Sequence, residues 1–255
     1  MGAFVTAILL ATACLTALLS GIFGMAGGLV LMGVLALFLP VAAAYVTHGI
    51  QQMAANGWRA ILHRAHIDWA IVANYALASV VAAALVSVIA FVPAPSLLYL
   101  LLGLVAMLVW LPKDRFHLDA ARPWHARASG FLVTALNLSA GVAGPLLDIF
   151  FVRTELTRHQ IVATKAATQV LSHLAKIIVY GLILADATRG LDSVAGAMPP
   201  LWFFLMALPL SALGTVAGGR ILDRFSDAGF RRATAWIVTL IGLAYLVRSL
   251  DLLIA

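Results

Sequence analysis

Polar and proline-marked breaks divide an otherwise apolar chain into stretches at about residues 3–39, 41–62, 69–92, 95–112, 129–152, 160–185, 200–222 and 233–250. Pro40, Pro93 with Pro95, Pro112 and the Pro199-Pro200 pair mark the limits, because proline lacks the N–H that would continue a helix. No Asp, Glu, Lys or Arg occurs from Met1 to Trp58, or from Trp69 to Pro112. Each gap exceeds the roughly 20 residues that cross a hydrocarbon layer once. The runs are continuous and rich in Leu, Ala and Val, not alternating in polarity over ten residues, so they predict membrane helices and not a strand barrel.

Composition strengthens that reading: 64% of the 255 residues are hydrophobic, 10% are charged, and the mean hydropathy is +1.06. A soluble domain cannot bury that much apolar surface. The formal charge of +6 comes from Arg and Lys scattered through short connections without a basic stripe, so these residues read as topology signals and nucleic acid is not expected as a partner. Cys14 lies alone inside the first apolar run and reads as a small packing residue. That first run is longer than a signal-peptide core and has no basic residue before it, so it is expected to be retained as structure.

The longest polar linker, Lys113 to Arg127, lies near the middle of the chain and suggests two halves: residues 1–112, a cytoplasmic linker at 113–128, and residues 129–255. An ungapped shift of 117 residues supports the division. It places Gly24-Met25-Ala26-Gly27 on Gly141-Val142-Ala143-Gly144, Thr47-His48 on Thr164-Lys165, Gln52 on Gln169, Asn56 on His173 and Arg59 on Lys176.

Basic connections fall at 59–66, 113–127, 153–158 and 220–232. If every apolar run crossed once, the first two would face one side and the last two the other, against the tendency of basic loops to share the cytoplasmic face. The conflict disappears if the 129–152 segment bends at Gly141 to Pro145 and leaves on the face it entered. The expected fold is therefore an all-α polytopic membrane bundle of two inverted repeats, each a Gly-broken re-entrant or hairpin segment followed by three transmembrane helices. Whether residues 3–39 form one helix or two stays open.

His48, Gln52, Asn56 and Arg59 recur at helical spacing on one face of the second run, and Lys165, Gln169, His173 and Lys176 repeat it. A charge near the bilayer centre costs roughly 2.5–3.5 kcal/mol even on lenient insertion scales, so Lys165 stands out, provided its helix begins near Arg158. Arg59 and Lys176 lie near the ends of their runs and could equally snorkel to the interface, and the two histidines could serve packing alone. Helix breaks at Gly24, Gly27, Gly28, Gly141 and Gly144 would aim backbone N–H groups into a cavity, which favours an anion, although small residues also let membrane helices pack closely. Asp148 is open to three readings: an ion-pair partner of Lys165 or Lys176, which ranks first, a proton-coupling group, or an interfacial residue. No metal motif, nucleophile motif or cofactor motif appears.

The run Ser20-Gly21-Ile22-Phe23-Gly24-Met25-Ala26-Gly27-Gly28, followed by Thr47-His48-Gly49, Gln51-Gln52 and Asn56-Gly57-Trp58-Arg59, resembles the sulfite exporter TauE/SafE family across essentially the whole chain. The resemblance implies a secondary transporter for sulfite, sulfonates or related sulfur oxyanions or organic acids in the inner membrane. It also implies Thr47, His48, Gln52, Thr164, Lys165 and Gln169 as anion contacts. Gln51, Asn56, Arg59, Asp148, His173 and Lys176 are expected behind them or along the access path. Proton or sodium coupling and assembly as a homodimer stay open. A membrane-embedded enzyme or assembly factor, or an anion channel, is the alternative.

Overall fold

In the computed structural model the described residues are 2–23, 26–112, 115–187, 197–222 and 227–254, without the side chains of 187, 219, 222 and 227–231. Gly24 of the first glycine motif lies outside them. The described residues form ten helices of eight residues or more and no strand: α1 (Ala3–Phe23), α2 (Ala26–Phe38), α3 (Val41–Leu62), α4 (Trp69–Ile89), α5 (Pro95–Met107), α6 (Pro123–Ala140), α7 (Gly144–Phe151), α8 (Arg158–Ala187), α9 (Leu201–Leu222) and α10 (Asp227–Ile254). α1, α4, α8, α9 and α10 contain spans long and apolar enough to cross a membrane. α3 has the length, 22 residues or about 33 Å at 1.5 Å per residue, but its polar face keeps it out of that group.

The helices pack in matched pairs. α1 lies along α9 as α6 lies along α4, α3 crosses α8, and α5 runs beside α10. Tyr45 stacks on Tyr180 with ring centroids 4.1 Å apart, and Gly57 approaches Val170, so α3 and α8 run antiparallel. Trp110 Nε1 donates to Thr239 Oγ1 at 2.7 Å and Ser249 Oγ donates to the Ser96 carbonyl at 2.8 Å, which makes α5 and α10 antiparallel as well.

Glycine lets the paired backbones approach. A Cβ on Gly130 would collide with the Tyr75 carbonyl where α6 meets α4, and one on Gly27 would collide with the Thr16 carbonyl between α2 and α1. Gly141 has φ +78°, the left-handed conformation that ends α6 and turns the chain into α7. Ala120 N donates to the Phe150 carbonyl at 2.8 Å, so α7 returns beside the segment that leads into α6. Pro145 occupies the start of α7, where its missing N–H costs nothing.

Proline also accounts for the main boundary difference from the expectation above. α6 begins at Pro123, so the helix takes up the last part of the 113–128 segment assigned to the linker, including Arg127, which donates to Asn74 at 2.9 Å. At the same end of the bundle, the His63 and His66 rings lie 6.1 and 5.4 Å from that of His159, and Asp68 N donates to Thr164 Oγ1 at 2.9 Å. The 59–66 connection and the start of α8 therefore share one end.

Outward-facing residues suit lipid: Val88, Leu182, Leu240 and Val247 are all more than 60% exposed. All six tryptophans are exposed. Five lie within about a turn of a helix end, and the sixth, Trp236, meets Trp110 edge-on at 5.8 Å. This is the interfacial placement that amphipathic rings favour, and the chain is a multi-pass membrane protein.

The close crossing at Gly130 gives a direct check. Gly130→Leu should wedge α6 from α4 and cost about 3 kcal/mol, the upper part of the overpacking range. Gly181→Ala, where a Cβ meets nothing within 4 Å, should be neutral or stabilising by about 0.5–1 kcal/mol. Thermal unfolding of the two variants in detergent measures the difference.

Candidate functional site

α3 and α8 cross in the middle of the bundle with their polar faces turned inward, and a cavity of about 740 Å³ opens between them and the hairpins α1–α2 and α6–α7. Much of its polar lining comes in pairs related by the 117-residue shift: Ser20 with Asn137, His48 with Lys165, Gln52 with Gln169, and Asn56 with His173. Arg59, Asp148, Ser172 and Thr234 add to it, with Gly28 and Gly144.

Lys165 sits two turns into α8, as a helix start at Arg158 requires. Its Nζ donates to Asp148 Oδ1 of α7, and the two side chains are 27% and 21% exposed. The expected ion pair is therefore present, and it sets the charge of Lys165 against that of Asp148. Arg59 donates to Asn56 Oδ1 at 3.2 Å, and among the described residues no carboxylate lies within 4 Å of its guanidinium. Asn56 is held in turn by donating to the Gln52 carbonyl at 2.9 Å.

Lys176, for which snorkelling was one of two open readings, does not reach the interface. It is fully buried, and its Nζ donates to the Gly141 carbonyl at 2.5 Å and meets His48 Nδ1 at 3.1 Å. His48 Nε2 reaches the Gly28 carbonyl at 3.0 Å. One of these carbonyls lies in the first turn of α2 and the other at the end of α6. Without Lys176 the Gly141 carbonyl would be desolvated and unpaired, at a cost of about 1–3 kcal/mol.

Several expected residues face elsewhere. Thr47 is buried beside the Met198 sulfur at 4.0 Å, Thr164 accepts from Asp68 at the start of α4, and neither lines the cavity. Gln51 is buried away from it, and Gly27 packs on α1. Gly141 contributes its carbonyl to Lys176.

Ser20, Asn137, Ser172 and Thr234 line the cavity although none of them was an expected contact. The Asn137 amide donates to Ser172 Oγ at 2.8 Å and to its carbonyl at 3.2 Å. The 117-residue shift could have found Ser20 and Asn137 together, since each lies four residues before its glycine break.

A helical membrane bundle with a cavity that holds Arg59 and Lys165 among apolar side chains has the form of a small-solute transport protein, and the family comparison agrees. The family description Sulfite exporter TauE/SafE matches residues 9–245. The chain belongs to this family, whose members are membrane exporters and not enzymes. Searches of curated proteins and of solved structures find no match.

Lys165→Met should lower stability by about 1–3 kcal/mol, because it leaves a largely buried Asp148 carboxylate without this donor. The double variant with Asp148→Asn should recover most of the loss. Thermal unfolding of the four proteins in detergent gives the coupling energy directly.

Proposed function

We propose that the protein is a secondary transporter that moves a small anion across the inner membrane by alternating access between two inverted repeats, residues 1–112 and 129–255. The anion is sulfite, a sulfonate or a related sulfur oxyanion or organic acid. The observation that carries this reading is the cavity at the α3–α8 crossing, lined by repeat-equivalent polar side chains with the Arg59 guanidinium beside it.

The packing supports the inverted repeat. Exchanging α1–α2 with α6–α7, α3 with α8, α4 with α9 and α5 with α10 turns the main helix pairs into one another. The α6–α7 hairpin, returning to the face it entered, supports placing the 59–66, 153–158 and 220–232 segments together on the cytoplasmic side.

Arg59, Gln52, Gln169 and Lys165 offer the anion donors without competing acceptors other than the amide oxygens and Asp148. His48, His173, Asn137 and Gly28 form the inner wall. Fixed donors favour a compact oxyanion, and a pseudo-symmetric site at the interface of two halves can open toward either side with little change in its own contacts.

Two measurements test this. Purified protein in proteoliposomes should take up labelled sulfite saturably, and Arg59→Gln should reduce kcat/KM by about 10- to 100-fold, the worth of one charge-assisted hydrogen bond of about 1.5–3 kcal/mol. Uptake unaffected by Arg59→Gln would remove that residue from the site. In a Cys14→Ala background, cysteines introduced at Ala65 and Arg220 should both be labelled from the cytoplasmic side. Labelling from opposite sides would refute the inverted repeat.

A further inference from the structure

Lys176 brings a cation into the bundle where the described residues place no carboxylate within 4 Å of it. Its hydrogen-bond partners fix much of its chemistry. A carbonyl oxygen can only accept, so His48 Nε2 carries its proton and donates to Gly28, and His48 Nδ1 is left as an acceptor. Lys176 Nζ therefore donates to His48 Nδ1 and to the Gly141 carbonyl.

Two acceptors need only two N–H bonds, and a neutral amine has two. An ammonium has a third, and the Tyr45 ring, with its centroid 5.5 Å from Nζ, faces that side. The hydrogen bonds are thus complete whether or not the extra proton is present, and the two states differ mainly by one buried positive charge.

The surrounding groups leave that charge uncompensated. Tyr45 and Tyr180 donate to the Ser139 and Leu138 carbonyls, at 2.8 and 2.6 Å, and so present no anion. The His173 ring, 5.6 Å from that of His48, has its Nδ1 buried without a hydrogen-bond partner among the described residues. Toward the cavity stand Arg59 and the Lys165–Asp148 pair, in which the carboxylate already accepts from a lysine. An anion in the cavity meets His48 and His173 on its inner wall, one side chain away from Nζ.

We infer that His48 and Lys176 form the proton-carrying site of the transporter: the Nζ lone pair takes one proton from water together with the anion and returns it to water on the opposite side. The inference rests on the anion-transport reading above. The anion supplies the countercharge that the buried ammonium lacks, so each favours binding of the other by the same factor. The site also lies where the halves meet, with His48 and Gly28 from the first repeat and Lys176 and Gly141 from the second. A change in its protonation therefore acts on the contact that alternation must rearrange.

The test counts protons bound with sulfite by the purified full-length protein, using calorimetry in buffers of different ionisation enthalpy and the pH dependence of the sulfite Kd. Wild type should take up about one proton more per sulfite than Lys176→Met or Lys176→Arg. Its Kd should therefore shift by up to about tenfold per pH unit relative to either variant. Sulfite's own protonation is the same in every arm and cancels, and arginine keeps donors and charge but does not deprotonate. The slope is the readout, so a change in absolute affinity does not affect the conclusion. Should neither variant fold, wild-type uptake no greater than that of free sulfite overturns the inference. Variants that keep the wild-type proton count overturn it as well, while sulfite transport itself stands. Absence of sulfite binding by wild type overturns the transport reading and this inference together.

Discussion

A backbone that breaks inside a membrane must find hydrogen bonds from the protein itself, because hydrocarbon offers none. At Gly141, where α6 ends, Lys176 of α8 meets that requirement by donating to the free carbonyl. His48 of α3 adds a hydrogen bond to the Gly28 carbonyl in the first turn of α2. The 3.1 Å contact between the two side chains joins α2 to the end of α6 through α3 and α8. His48 also lines the cavity, so this bridge forms part of its wall.

Small residues and polar faces then divide the work. At Gly130 and Gly27 the absence of a side chain lets helices touch through their backbones, which holds α6 against α4 and α2 against α1. On α3 and α8 the polar stripes face inward, toward one another and the cavity, while Leu182 of α8 and Val247 of α10 face lipid. Without a hydrophobic drive between helices in lipid, such close packing and interhelical hydrogen bonding supply much of the association. The positive character of the cavity is concentrated at Arg59, since Lys165 is set against Asp148.

Much of this was legible in the sequence because membrane helices carry strong local signals. The α3 limits at 41 and 62 follow from Pro40 and the end of the apolar run, and the repeat-equivalent lining residues follow from helical spacing and the 117-residue shift. The hairpin at Gly141 followed from the placement of basic loops. What local pattern could not give was rotation and depth. For Lys176 the sequence leaves open whether it snorkels or stands behind the site; α8 continues to Ala187 and its crossing with α3 places Nζ under the Tyr45 ring. Thr47 and Thr164 share a register with true lining residues but point to Met198 and to the α4 cap, because one residue of helical rotation, about 100°, moves a side chain off the cavity face.

The most direct measurement is a structure of the full-length protein with selenite, a heavier analogue of sulfite, located by its anomalous scattering. The anion should lie in the cavity between α3 and α8, within hydrogen-bond reach of Arg59 and at least one of Gln52 and Gln169. Selenite bound only outside that cavity, or a cavity that stays empty at concentrations that saturate sulfite uptake, would contradict an anion site at the crossing of the two halves.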